Sequence, residues 1–164
     1  MMNAKDAIRN AAGLSQMVVK AYIGDLTDAE LMTRPGPGCN HIAWQLGHLI
    51  SSGASLLNMV APEAGIALPA GFAEKHTKET NGVDDPSKFY TKQEYLDLFD
   101  KSVAASMTTL EKYPEADLDK PSPEPMRSLV PTMGGMFMLI ATHPLMHAGQ
   151  FVPVRRALGK PVVI

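Results

Sequence analysis

The sequence predicts an all-α, four-helix bundle in one domain. Three observations lead there: apolar residues recur at helical spacing in four long segments, glycine and proline clusters separate those segments, and no segment reads as a convincing strand. A chain of 164 residues fits a single core, large enough to bury about 70% of the surface its unfolded form exposes. The domain is therefore taken as 1–164.

The first helix is predicted over Ala4 to Ile23, with Ile8, Ala12, Ser15, Val19 and Tyr22 at helical spacing. A short turn, LTDAELMT, follows, and its Thr27 and Glu30 have capping-box spacing. RPGPG then breaks the chain, and Asn40 is read as the cap of the second helix. Along that helix Ile42, Leu46, Leu49, Gly53, Leu56 and Val60 form a narrow apolar stripe, ended by Pro62. Residues 62–90 form a long connection, with a short helix expected around Ala70 to Lys75; connections of that length are often functional.

The third helix begins at Thr91, capped with Glu94, and runs through Leu96, Phe99, Val103, Leu110 and Tyr113 to Pro114. Five of the thirteen prolines lie between Pro114 and Pro131, which fixes an extended crossover. The fourth helix starts near Thr132 and stops at ALGKP, where Gly159 supplies a left-handed closing residue and Pro161 prevents continuation.

Composition excludes several classes. Charged residues make up 20% of the chain and the formal net charge is −2, with no basic run, so nucleic acid is not an expected partner. Cys39 has no second cysteine to pair with, and the first twenty residues lack the pattern of a signal peptide, which makes a cytoplasmic location the expectation. Between Arg127 and Arg155 there is no Asp, Glu, Lys or Arg. That window is long enough to span a bilayer, but its two histidines, glutamine, threonines, glycines and prolines argue for a helix buried in a protein core, with no membrane association.

The chemistry concentrates in two segments. In ATHPLMHAGQFVPVRRALGKP, His143 and His147 project within roughly 40° of one another, toward the inward direction that Met136, Leu139, Ile140, Gln150, Val154 and Leu158 share. Burying an unpaired imidazole costs on the order of 1–3 kcal/mol, so two buried together call for a compensating partner. A metal ion bound by side chains one turn apart is one such partner, and hydrogen bonding to backbone carbonyls is another. In NHIAWQLGHLI, His48 borders the apolar stripe, while His41 lies about 10.5 Å away along the axis, too far for both to bind one ion. His48, held mid-helix, is the favoured third ligand, with His41 at the mouth of the site.

The combination of NHIAWQLGHLI with HPLMHAGQFVPVRRALGKP resembles the DinB/YfiT-like family of metal-dependent bundle proteins. Trp44 and His48 match its helix-two W-x-x-x-H setting, and His143, His147, Gly149 and Gln150 match its H-x-x-x-H-x-G-Q pair. The resemblance implies a four-helix bundle with His48, His143 and His147 around a divalent metal ion, commonly zinc or nickel, and a homodimer. Characterised members include bacillithiol-using S-transferases and a mycothiol-dependent isomerase. Two positions depart from the pattern: Pro144 stands between the two histidines, where it is expected to kink or widen the helix, and His41 replaces a small polar residue.

Three neutral histidines leave an open coordination position, as in a catalytic zinc site, where water or a thiol would be acidified. The expected function is a metal-dependent enzyme acting on a small molecule by thiol (S-)transfer, with a low-molecular-weight thiol cosubstrate, or by hydrolysis. The alternative is a non-catalytic bundle that binds a metal or small ligand as sensor, carrier or stress-response protein. His41 and Gln45 are candidates for proton transfer or orientation, and Trp44 and Gln150 for the substrate pocket or the surroundings of the metal.

The remaining residues receive plainer readings. Met133, Met136, Met138 and Met146 are expected as core filler, His76 in EKHTKE as a solvated surface residue, and Arg155 and Arg156 as complements to the last helical turn.

Overall fold

A computed structural model describes residues 2–164. Among the described residues six α-helices are present: α1 (Ala4–Ile23), α2 (Asp28–Leu31), α3 (Ile42–Val60), α4 (Lys92–Lys112), α5 (Glu124–Arg127) and α6 (Met133–Ala157). The four long ones form the bundle; α1 packs beside α6 and α4, and α3 packs beside the same two. No helix among the described residues is long and apolar enough to cross a membrane.

Side chains set where the helices begin. Asn3, Thr27 and Thr91 each accept from the amide three residues on, while Asp6, Glu30 and Glu94 reach back to the capping amide. Each box satisfies two amides that the helix itself cannot. The second bundle helix departs from expectation, because its cap is His41 and not Asn40. At the far end of the fold, Gly159 adopts φ +69, the left-handed closure read from ALGKP.

The long connection does not stay on the surface. Its short 3-10 turn Ala73–His76 lies against α3, and Phe72 is fully buried with it. The N-terminal half of α3 is consequently buried around most of its circumference, from Ile42 through Gly47, and not on a narrow stripe. The proline-rich crossover returns along an isolated antiparallel bridge between Pro121 and Thr132. There Lys120 and Leu118 carbonyls accept from Met133 and Gly134, completing the donor set at the start of α6.

Pro144 and Pro153 both lie inside α6, which continues through them as one helix. A proline interior to a helix removes one backbone bond; Pro144 is buried with Ala148 among the other helices, whereas Pro153 is exposed. Arg155 is a core residue, 1% exposed, and not a surface complement to the helix end. Its guanidinium donates to Tyr22 O and Pro161 O, both at 2.7 Å, and to both Asp25 carboxylate oxygens at 2.5 and 3.1 Å. This fork ties α6 to the end of α1 and to the C-terminal segment.

Candidate metal centre

His48 on α3 and His143 and His147 on α6 converge, each half-buried, with one ring nitrogen apiece lying within 4.8 Å of the others. The two α6 imidazoles are closest: their Nε2 atoms are 3.2 Å apart. Two nitrogens bound tetrahedrally to one zinc at 2.0–2.1 Å would lie about 3.3 Å apart. The helical pair therefore already has the spacing of two ligands on one ion, and Pro144 has not spread it.

Two of the three rings are held from behind. Gln45 is fully buried, and its Oε1 accepts from His147 Nδ1 at 2.9 Å, while its Nε2 donates to Asn40 O at 2.9 Å. The carbonyl at residue 40 fixes which way the amide faces. The amide in turn fixes the tautomer of His147, so that the Nε2 lone pair points toward the other two histidines. Trp44 stacks on His48 with ring centroids 5.2 Å apart and planes 4° from parallel. Its indole N–H donates to Thr77 O at 3.1 Å, so the long connection holds the ring against which His48 rests.

Burial keeps these rings in the neutral form that ligation requires. His147 is pushed down to about 4, by burial first and then by the neighbouring His143 and His48. His143 is lowered by burial and by His48, and His48 by burial and by Lys78.

The other candidates fall elsewhere. His41 is fully buried and has both ring nitrogens engaged: Nδ1 accepts from Trp44 N at 3.0 Å and Nε2 donates to Val83 O at 3.1 Å. It serves as the helix cap, not as a mouth residue. Gln150, expected on the inward face, is exposed. Met138 and Met146 are exposed as well, whereas Met133 and Met136 do fill the core. Cys39 is exposed.

His76 corrects a sequence expectation outright. It is 2% exposed, its Nδ1 donates to Phe72 O at 2.7 Å, and its Nε2 accepts from the Tyr95 hydroxyl at 2.8 Å. Burial lowers its pKa to about 4 and raises that of Tyr95. The ring packs against Gly47, where an added Cβ would sit 2.1 Å from His76 Cδ2. The signal in the sequence was that glycine, one residue before His48, since a mid-helix glycine costs about 1 kcal/mol against alanine and marks a close approach.

With the geometry established, comparison with known proteins places the chain. The model of the DinB superfamily matches residues 13–151. The chain belongs to the DinB superfamily. Solved structures with the same fold include a conserved protein from Enterococcus faecalis, at a TM-score of 0.67 and 19% identity, covering 98% of this chain and 100% of that one. Another is YfiT from Bacillus subtilis, described as a probable metal-dependent hydrolase with an unusual four-helix bundle topology. It aligns at a TM-score of 0.65 and 17% identity, over 96% of this chain and 89% of that one. No curated protein matches in sequence. At these identities the structural likeness establishes the DinB-type bundle, and the three-histidine cluster stands on its own geometry.

Proposed function

We propose that this DinB-superfamily protein is a divalent-metal-dependent enzyme that acts on a small molecule at His48, His143 and His147. The observation that carries the reading is the 3.2 Å approach of two Nε2 atoms one turn apart, with a third imidazole facing them from α3. Satisfied core histidines would be expected to turn their nitrogens toward carbonyls, as His76 and His41 do through Phe72 O and Val83 O. The proposed ligands instead turn theirs toward each other.

A zinc or nickel ion held there would supply Lewis acidity, polarising a carbonyl or making a bound water or thiol acidic near neutral pH. The protein's own contribution is orientation. Gln45 keeps His147 presenting Nε2, and Trp44 fixes the plane of His48. Among the described residues no carboxylate joins the three histidines in the cluster, so the donor set is neutral and leaves the charge of the ion uncompensated. Such a set suits an anionic group, whether a carboxylate-bearing substrate or a thiolate.

Hydrolysis is favoured by the description of YfiT, and S-transfer with a low-molecular-weight thiol is the second form of the same reading. Metal-loaded protein assayed against small esters, amides and alkyl electrophiles, with and without bacillithiol, mycothiol or glutathione, separates the two. Turnover that a chelator abolishes and added metal restores supports the enzyme. Stoichiometric metal with no turnover across the panel supports the binding role in its place. The homodimer expected of the family belongs to this reading, and light scattering of the purified protein tests it.

A further inference from the structure

The hydrophobic core of the bundle is divided in two. One cluster includes Val19, Ile50, Phe99 and Ala148, and the other includes Ala12, Leu57, Leu110 and Ala141. Between them there is a gap of about two turns on α1, α3 and α6 and about three on α4, and at that level lies a cavity of ≈ 30 Å³. It opens partly to solvent. His143 and Pro144 form part of its wall.

Small side chains create the space. Ala12 and Ser15 of α1, Gly53 of α3, Ser102 and Ser106 of α4 and Ala141 of α6 all face it. Protein interiors are packed to crystal-like density, so the same layer left open from four helices is a departure from ordinary core packing. Such a space holds water weakly where its wall is apolar. Its volume exceeds the roughly 10–15 Å³ that one water needs, but a buried water also needs about two to four polar partners. Ser15 and Ser106 already donate to carbonyls of their own helices, Ala11 O at 2.8 Å and Ser102 O at 3.0 Å. Their oxygens remain as acceptors beside Ser102 and His143, while Leu49, Leu56, Phe99, Val103, Met107 and Ile140 make most of the remaining wall apolar.

From this arrangement we infer that the cavity is a binding slot for a slim, unbranched apolar arm of the substrate, whose polar reacting end lies at the histidine cluster that His143 shares with the slot. The inference rests on the metal-centre reading for the position of the reacting end, while the slot itself is defined by α1, α3, α4 and α6 alone. The substrate class is therefore a small molecule with a metal-seeking polar head and a short aliphatic chain. Gly53, Ser102 and Ser106 set the length and width of chain accepted, because their side chains are what leave the slot open. A Cβ on Gly53 would come within 3.2 Å of Ser102 Oγ, reaching across it.

Two measurements test this. First, zinc-loaded protein is titrated with aceto-, propiono-, butyro- and pivalohydroxamate, which share a metal-binding head and differ in the chain. The expected result is a Kd that falls about fourfold per added methylene along the straight series, with pivalohydroxamate no tighter than acetohydroxamate. Gly53→Ala and, independently, Ser106→Val are expected to flatten that dependence while leaving acetohydroxamate affinity and zinc stoichiometry unchanged. The Gly53→Ala change also raises helix propensity, so folding is retained. No chain-length dependence, or a dependence that survives both substitutions, overturns the slot.

Second, metal-free protein labelled at methionine methyls is titrated with 1-butanol and with tert-butanol. Met107 lines the cavity, and its resonance is expected to shift with the straight alcohol and not with the branched one. Failure of zinc to bind, with the Met107 response intact, defeats the metal-centre reading and leaves the slot standing. Loss of the Met107 response in protein that does bind zinc defeats the slot and leaves the metal centre standing.

Discussion

Gln45 Oε1 and His147 Nδ1 are 2.9 Å apart, and that single hydrogen bond determines which nitrogen of His147 is free to act. Replacing Gln45 with leucine removes the acceptor and frees the ring to change tautomer or rotate. Partners of this kind typically contribute 10- to 100-fold in metal affinity. The Gln45→Leu protein is expected to bind zinc about that much more weakly in a chelator-competition titration, with unchanged stoichiometry. An affinity equal to wild type would show that the tautomer is fixed by something else.

His41 and His48 lie on the same helix and are expected to behave oppositely. His41→Ala removes a helix cap, which costs about 0.5–2 kcal/mol, and also frees Val83 O. Denaturant unfolding should record that loss while bound zinc per chain stays at the wild-type value. His48→Ala should do the reverse, with metal lost and stability little changed. A His41→Ala protein that folds normally but cannot retain metal would return His41 to the site.

Gly47 and His76 form a coupled pair. The His76 ring is anchored at both nitrogens, so it cannot retreat from a methyl group placed 2.1 Å away. Gly47→Ala alone is expected to destabilise by about 1–3 kcal/mol through overpacking. His76→Ala alone should also destabilise, because the Tyr95 hydroxyl loses its partner. In the double variant the methyl enters the space the ring has left, so the two losses should sum to less than their separate values. Strict additivity in a double-mutant cycle would contradict the packing described.

Stability should depend on pH through the same histidine. The folded pKa of His76 is lowered to about 4 from 6.5, so the folded state resists protonation more than the unfolded chain does. Its contribution is complete above pH 6.5. It is lost as pH falls from 6.5 toward 4, at up to about 1.4 kcal/mol per pH unit, and the loss levels off below that window. His147 acts in the same direction in metal-free protein. Urea unfolding of the His76→Phe variant should show a shallower decline between pH 6.5 and 4 than wild type.

Much of the fold is legible in local chemistry. The boundaries of α1 and α4 follow from Asn3, Thr91 and the capping glutamate and aspartate, because a cap is decided by residues three apart. The convergence of His143 and His147 is equally local, one helical turn apart. What the sequence does not carry is tertiary placement. EKHTKE reads as surface because its neighbours are charged, yet the connection folds onto α3 and buries His76 beneath them. Arg155 likewise looks like a helix-end charge until Asp25 and the Tyr22 carbonyl, from a segment far away in the chain, close around it together with the nearby Pro161 carbonyl. Gln150 was assigned inward from an ideal wheel, and its exposure shows how little margin one residue at the edge of a helical face has.

The central claim is that His48, His143 and His147 hold one divalent ion. It is tested most directly by elemental mass spectrometry of protein reconstituted with zinc or nickel at neutral pH and desalted. One ion per chain in wild type and in His41→Ala, falling to near zero in each of His48→Ala, His143→Ala and His147→Ala, is the predicted result. Metal near zero in the wild-type protein, or retained at one per chain in the three alanine variants, would contradict it.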